Sequence, residues 1–454
     1  MNQIPRGAWS TLALLSVAEL MGMSLWFTAS ALSPELAAQW GLSEGQAGWL
    51  TTVVQLGFVA GTAVAAFLNL ADIFPARRYF CVSALLGAGV NAAVLVVPDY
   101  GSALVLRFLT GFFLAGVYPP AMKMIATWFR DARGFAIGTI VGALTVGKAI
   151  PYLLTSVEGG GAALVLAGAS LACAASGLLV LATYRDGPYG FERRPFSWKL
   201  AGVVLRHRET RLAIAGYLGH MWELYPMWAT ITLFFGDYFA GGGGGIVAGG
   251  GLVGGGGGLA GEGGGGLTGA VAGGLTGGSA GAAAGTGAGS AAAADVGALS
   301  AAGLAGVAGF GAIAIGGVGA VMAGTWADRL GRERVTIWSM AVSGACAAVM
   351  GWLLAAPLWL VAVVVGVWGF AVVADSAQFS AVVTEVAPRH AVGTALTLQT
   401  SLGFLLTAAT IWMTVELEIR FGWRVAFGAL ALGPWAGIVA MRRLQRLRAE
   451  TTRQ

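Results

Sequence analysis

Twelve apolar runs, each about twenty residues or longer, follow one another along this chain with short polar turns between most of them. A helix needs ~20 mainly apolar residues to cross the hydrocarbon core of a bilayer, where every backbone polar group must be satisfied within the segment. Six runs lie near 9–32, 47–70, 79–98, 101–128, 134–156 and 161–183, and six more near 212–236, 301–326, 335–355, 357–381, 391–414 and 423–441. Of 454 residues 57% are hydrophobic and only 10% charged, with a mean hydropathy of +0.77. A soluble domain carries roughly 25% charged residues, so most of this surface does not face water. The first run is too long for the core of a signal peptide and reads as a retained span. Pro34, Pro188 and Pro388 fall at run ends and act as stops. Cys81, Cys173 and Cys346 each sit inside an apolar run, which argues against a disulfide framework. The expected fold class is an all-α membrane protein with twelve transmembrane helices.

Charge placement orients the array. With a cytoplasmic N-terminus, 21 of the 26 Lys and Arg fall in cytoplasmic loops and tails, and only Arg420 and Arg424 fall outside. That asymmetry fits the positive-inside rule and predicts both termini in the cytoplasm, in a multi-pass protein of the cell membrane. The net charge of +5 therefore reflects topology and gives no reason to expect nucleic acid.

Residues 184–211 form the longest polar stretch and divide the spans six and six. Basic Arg193, Arg194, Lys199, Arg206 and Arg208 alternate with apolar Trp198, Leu200, Val203 and Leu205. An amphipathic helix on the inner leaflet and a solvated linker are equally good readings. Residues 239–300 hold 28 of the 74 glycines, with Glu262 and Asp295 as the acids well inside the stretch. Glycine loses the most backbone entropy on ordering, so a flexible extracytoplasmic insert is expected there. The expected organisation is a first six-helix bundle over 1–183, a linker over 184–211, a second bundle over 212–441 and a basic tail over 442–454.

Between the eighth and ninth runs stands Gly324-Thr-Trp-Ala-Asp328-Arg329-Leu-Gly331-Arg332-Glu333-Arg334. Gly324 would allow a close helix approach and Gly331 a positive backbone angle. Asp328 can meet the positive end of a neighbouring helix while Arg329 and Arg332 stay on the cytoplasmic side. This pattern resembles the cytoplasmic loop motif of the major facilitator superfamily of secondary transporters. The resemblance implies two pseudo-symmetric six-helix bundles, a central site alternately open to each side, and a gating role for this loop. The repeat implies a copy after the second run, where Leu68-Asn-Leu-Ala-Asp72-Ile-Phe-Pro75-Ala-Arg77-Arg78 keeps the aspartate and a basic pair but lacks both glycines. Asp72 and Arg77 are its candidate gating residues. Arg107-Phe-Leu-Thr110-Gly111 in the fourth run also resembles a superfamily element. Gly138, Gly142 and Gly147 in the fifth resemble an element associated with exchangers, with tight helix packing as the plainer reading. A looser likeness to bacterial nitrate/nitrite and cyanate-type porters rests on Ala18 to Gly22, Gly111 and Gly116.

Ionisable residues deep in a span are costly and by default face a cavity or a partner. Those here are Glu19, Arg107, Lys123, Lys148, His220, Glu223 and Asp375. His220 and Glu223 are three apart and share a helix face, which suits the sharing or relay of a proton. A structural pairing of Glu223 with Arg107, Lys148 or His220 is the competing reading. Pro226 is a candidate kink. Arg107 and Lys148 are the candidates for substrate charge, with Tyr225, Gln378 and Gln399 as polar substrate contacts. Glu19, His220, Glu223 and Asp375 are candidates for proton coupling or buried pairing. Neither a Walker-type phosphate loop nor zinc-ligand spacing occurs in the sequence, so no cofactor or metal is expected. The reading is of a monomeric carrier, not an enzyme. It moves a small polar solute, with an anion as one candidate, driven by protons or by exchange. A drug or metabolite exporter of the same fold and a non-transporting membrane sensor are the alternatives.

Overall fold

The computed structural model describes residues 4–68, 70–130, 132–157, 161–189, 197–241 and 300–453. Nearly all of the glycine-rich stretch expected as an insert lies outside these residues. Among those described, helix is the regular element, arranged as twelve long segments. In the first half these are span 1 (Ala8–Gly22, continuing through Met23–Leu25 and Thr28–Ala31), span 2 (Glu44–Phe67) and span 3 (Ala76–Ala93). Span 4 (Tyr100–Leu114 and Tyr118–Ala126), span 5 (Arg133–Leu154) and span 6 (Gly161–Thr183) complete it. The second half has span 7 (Arg208–Ala240), span 8 (Ala301–Leu330), span 9 (Arg332–Met350) and span 10 (Leu358–Ala374 and Ser376–Val386). Span 11 (Val392–Phe421) and span 12 (Trp423–Leu430 and Leu432–Arg453) close the chain. Ten of the twelve are long and apolar enough to cross a membrane. The other two, spans 7 and 9, carry more polar side chains, among them His220, Glu223 and the Arg332 to Arg334 run.

Four spans are interrupted. Span 4 breaks at Ala115–Val117, just before Pro119 and Pro120, which cannot donate backbone N–H groups to the preceding turn. Span 10 breaks at Asp375, and span 12 at Ala431. Span 1 tightens at Met23–Leu25 and leaves helical geometry at Phe27 (φ −104°, ψ 19°). Carbonyls freed inside a membrane need a donor, and the site below contains it. Span 7 contains Pro226, the candidate kink, within a continuous helix.

The expected amphipathic segment contains a helix over Trp198–Arg206. Val204 is buried, whereas Val203 and Leu205 are exposed, and the Ser197 N–H donates to Thr394 Oγ1 of span 11 (3.1 Å).

Spans 5 and 8 form the most extensive helix pairing. A Cβ at Gly324 would lie 2.6 Å from the Gly134 carbonyl oxygen, and one at Gly142 would lie 2.7 Å from that of Gly317. Backbone meets backbone at these points, so the exchanger-like glycines serve close packing here. Val in place of Gly324 should separate the two helices at a cost of about 2–3 kcal/mol. A clear fall in thermal melting temperature of the purified protein is expected, and an unchanged one would show that the two helices can part freely. Gly331 has φ +91° with nothing near its Cβ position, so the turn after span 8 does use the left-handed freedom of glycine.

Candidate substrate site

Lys148 sits past the middle of span 5 and is 2% exposed. Its Nζ donates to the Tyr225 hydroxyl of span 7 at 2.5 Å. The same ammonium lies 4.0 Å from the ring centre of Trp26, 4.7 Å from that of Tyr225 and 5.3 Å from that of Trp228. Cation–π contacts of this kind reach about 2 kcal/mol when desolvated. The rings continue as a cluster: Phe58 of span 2 stands 4.4 Å from Phe404 of span 11, and Trp26 stands 5.0 Å from Phe58 and 5.7 Å from Tyr225. Tyr152 donates its hydroxyl to the Trp228 carbonyl (3.1 Å). Spans 1, 2 and 5 from the first half thus meet spans 7 and 11 from the second around one buried cation.

Glu19, in span 1, is fully buried, and neither carboxylate oxygen has a hydrogen-bond partner. It lies close enough to Lys148 for their charges to interact, and its field also reaches Tyr118 and Cys173. An ionised carboxylate without a partner is among the costliest groups a low-dielectric interior can hold. The Nε1–H groups of Trp26 and Trp228 and the whole side-chain amide of Gln55 are likewise buried and unpartnered. Gln55 is three residues from Phe58 and so lies on the same face of span 2.

Arg107 is engaged elsewhere. Nη1 donates to Asn91 Oδ1 (2.7 Å), Thr28 Oγ1 (2.9 Å) and the Leu25 carbonyl (3.2 Å). Nη2 donates to the carbonyls of Trp26 (2.7 Å) and Leu25 (3.2 Å). These are the carbonyls freed where span 1 breaks, so the guanidinium holds that break in place. Asn91 extends the network, donating to Ser170 Oγ (3.0 Å) and the Leu166 carbonyl (3.3 Å) of span 6. A residue expected to meet the solute therefore makes five hydrogen bonds to four protein acceptors.

His220 and Glu223 share a face of span 7 but not a partner, so the expected direct relay between them is not formed. Trp368 Nε1 of span 10 donates to Glu223 Oε1 (2.6 Å), and Ser343 Oγ of span 9 donates to Oε2 (2.8 Å). Neither Arg107, Lys148 nor His220, the partners expected for Glu223, fills that role. His220 Nδ1 lies 2.8 Å from Asp375 Oδ1, close enough for an ion pair though off the line of a hydrogen bond, and its Nε2 is 2.9 Å from Ser376 Oγ. Asp375 thus ties the span 10 break to span 7. Trp222 turns away from the cage and donates to the Ala429 carbonyl of span 12 (3.0 Å).

Gln378, expected at the solute, accepts from Arg332 Nη1 (2.8 Å) instead. Arg332 also pairs with Glu385 (2.7 Å) and with Asp328 (3.5 Å). Arg448 of the last helix reaches Glu333 and Glu385. Both Asp328 oxygens lie 2.9 Å from where a Cβ on Gly134 would stand, at the first turn of span 5. The acid therefore meets a helix N-terminus, as the loop pattern suggested. Arg329 and Arg77 are exposed, and the side chain of Asp72 lies outside the described residues. Gln399 is buried, with its carbonyl oxygen unpartnered and its Nε2 3.5 Å from Ser380 Oγ.

Trp26, Phe58, Phe404 and Gln55 were missed by reading the sequence for charge. The available signal was the lone amide of Gln55 in an otherwise apolar run. The aromatic residues had none, because aromatic residues at helical spacing are ordinary core.

An array of twelve long helices with a caged cation where its halves meet is the architecture of a membrane carrier. The model of the Major Facilitator Superfamily matches residues 14–316, and the chain belongs to that family. Over 154 residues it is 28% identical to the "Putative uncharacterized transporter YgaY" of Escherichia coli (strain K12), which is 33% of this chain and 38% of that one. Over 154 residues it is 33% identical to the "Puromycin resistance protein pur8" of Streptomyces alboniger, covering 33% and 29% of the two chains. The matched stretch thus spans well under half the length of either relative. The fold is similar to that of the human organic anion transporter MFSD10 (TETRAN), with a TM-score of 0.63 and 12% identity over 97% of this chain and all of that one.

Proposed function

We propose that this protein is a secondary active transporter that carries a small polar solute, an anion in the reading favoured here, by alternating access and coupled to protons. The observation that carries the proposal is the buried Lys148 ammonium between the two halves, with the unpartnered carboxylate of Glu19 within its field. Lys148 supplies the positive charge that an anion needs. Glu19 is the coupling group: with its proton on, the site carries one net positive charge, and with its proton off, the pair is neutral. Arg107 positions the break in span 1 that presents Trp26. Glu223 with Ser343 and Trp368, and His220 with Asp375 and Ser376, hold span 7 against spans 9 and 10. Asp328, Arg332, Glu333, Glu385 and Arg448 form the gate on the basic face. The positive-inside rule puts that face and both termini in the cytoplasm of a cell membrane. One relative named for drug resistance, the puromycin resistance protein of Streptomyces alboniger, and the aromatic walls of the cage, which suit a cationic drug, support a second reading, a drug exporter.

Proteoliposome uptake of a panel of anions, cations and drugs, with and without a pH gradient, tests these readings. Anion uptake that rises with an inward proton gradient is expected. Gradient-linked extrusion of cationic drugs with no anion dependence would move the assignment to the exporter. In Glu19→Gln, uptake should become indifferent to the pH gradient while counterflow exchange persists. Wild-type accumulation under a gradient in that variant would remove Glu19 from the coupling role.

A further inference from the structure

We infer that the solute is a planar aromatic monocarboxylate, bound with its carboxylate on Lys148 and its ring between Trp26, Phe58 and Phe404. This rests on the transport reading above and narrows it to a chemical class. With the halves closed on it, Lys148 is satisfied from both of them. From the second half the ammonium receives one acceptor oxygen, the Tyr225 hydroxyl at 2.5 Å, and two π faces, those of Tyr225 and Trp228 at 4.7 and 5.3 Å. Alternating access requires the halves to part, and parting removes all three from a lysine that belongs to the first half. A solute that stabilises the parted state replaces them from its own atoms. The chemistry called for is an oxygen acceptor attached to an aromatic ring.

Three observations sharpen the class. The ammonium has three donors, and Tyr225 accepts one of them, so a two-oxygen anion can take more than the phenol does. The Nε1–H groups of Trp26 and Trp228, which flank the same ammonium, are buried without partners and are available to a carboxylate. The charge count limits the anion to a single negative charge. Among the described residues the other fully buried Arg or Lys is Arg107, whose terminal nitrogens already serve four acceptors through five hydrogen bonds. For the ring, Trp26, Phe58, Phe404 and Tyr225 stand with centroids 4.4 to 5.7 Å apart. An incoming ring exchanges one aromatic contact for another there, whereas a saturated ring loses it. The unpartnered amide of Gln55, on the Phe58 face, then offers a donor and an acceptor to a polar ring substituent.

Isothermal titration calorimetry on the purified full chain with benzoate, cyclohexanecarboxylate, benzamide and benzylamine tests this. Benzoate should bind, cyclohexanecarboxylate about 10-fold more weakly, benzamide about 100-fold more weakly, and benzylamine undetectably. Lys148→Gln, checked by thermal melting to be folded, should lose benzoate binding. Equal affinity for the saturated acid, tighter binding of benzylamine, or no binding of benzoate would each overturn the inference. The two readings fail separately. If none of the four binds while another solute is carried under a gradient, the substrate class is wrong and transport stands. If benzoate binds but no gradient moves it, transport is wrong and the class stands.

Discussion

Replacing Lys148 by Gln abolishes solute uptake in reconstituted vesicles, with an expected loss of a hundredfold or more. Removing one partner of a desolvated charge pair costs about 2–5 kcal/mol, and each 1.4 kcal/mol is a factor of ten. Lys148 is 2% exposed, so water cannot take over its role. The loss should appear in substrate affinity, because Gln can still meet the Tyr225 hydroxyl but brings no charge to an anion. Arg at this position should recover only part of the affinity, since it keeps the charge and can stack on the Trp26 ring but presents a longer planar fork in place of a compact ammonium. Initial uptake rates across solute concentrations measure the effect. A variant that retained wild-type affinity would mean that the solute binds elsewhere and that the cage is a packing device.

Replacing Arg107 by Leu is expected to be the most damaging single change to the fold. Five donations to acceptors in spans 1 and 3 would be lost together. The Trp26 carbonyl would then lose its guanidinium donor in the buried interior, and the Leu25 carbonyl would keep only the Thr28 hydroxyl (3.1 Å). Breaking a buried charged network by removing one member costs about 3–5 kcal/mol, a large share of the total stability of an ordinary domain. The expected result is loss of monodisperse protein in detergent, or a melting temperature far below that of Arg329→Ala, which alters an exposed arginine. Equal melting of the two variants would show that the span 1 break is held without Arg107. The contrast with Lys148 matters: both are buried cations of the first half, but Lys148→Gln should melt near wild type and fail in transport.

Much of the architecture was legible in the sequence because a bilayer leaves few options. A run of apolar residues long enough to cross must be helical, so its limits follow from composition; span 6 was expected at 161–183 and is found there. The loop after span 8 was legible for a related reason: Gly331 and the Gly324 contact are demands of local backbone geometry on particular positions. The breaks in spans 1 and 10 were not legible. At Met23–Phe27 and at Asp375 the α-helix is interrupted where distant side chains, Arg107 and His220, meet the chain. No local pattern records that.

The site divides along the same line. Depth in a span is a one-dimensional property, so the sequence identified Glu19, Arg107, Lys148, His220, Glu223 and Asp375 as buried ionisable groups. Which of them face one another depends on helix rotation and packing, which spacing within one helix does not determine. Tertiary structure assigned Arg107 to a helix break, Glu223 to Ser343 and Trp368, and Gln378 to Arg332. It left the Lys148 ammonium among Trp26, Tyr225 and Trp228, with the carboxylate of Glu19 unpartnered in its field. The sequence determined that charge must be buried in this membrane protein, because burial follows from hydropathy. Only the packing of twelve helices decided which buried charges are satisfied by the protein and which still lack a partner, because satisfaction requires contact in space.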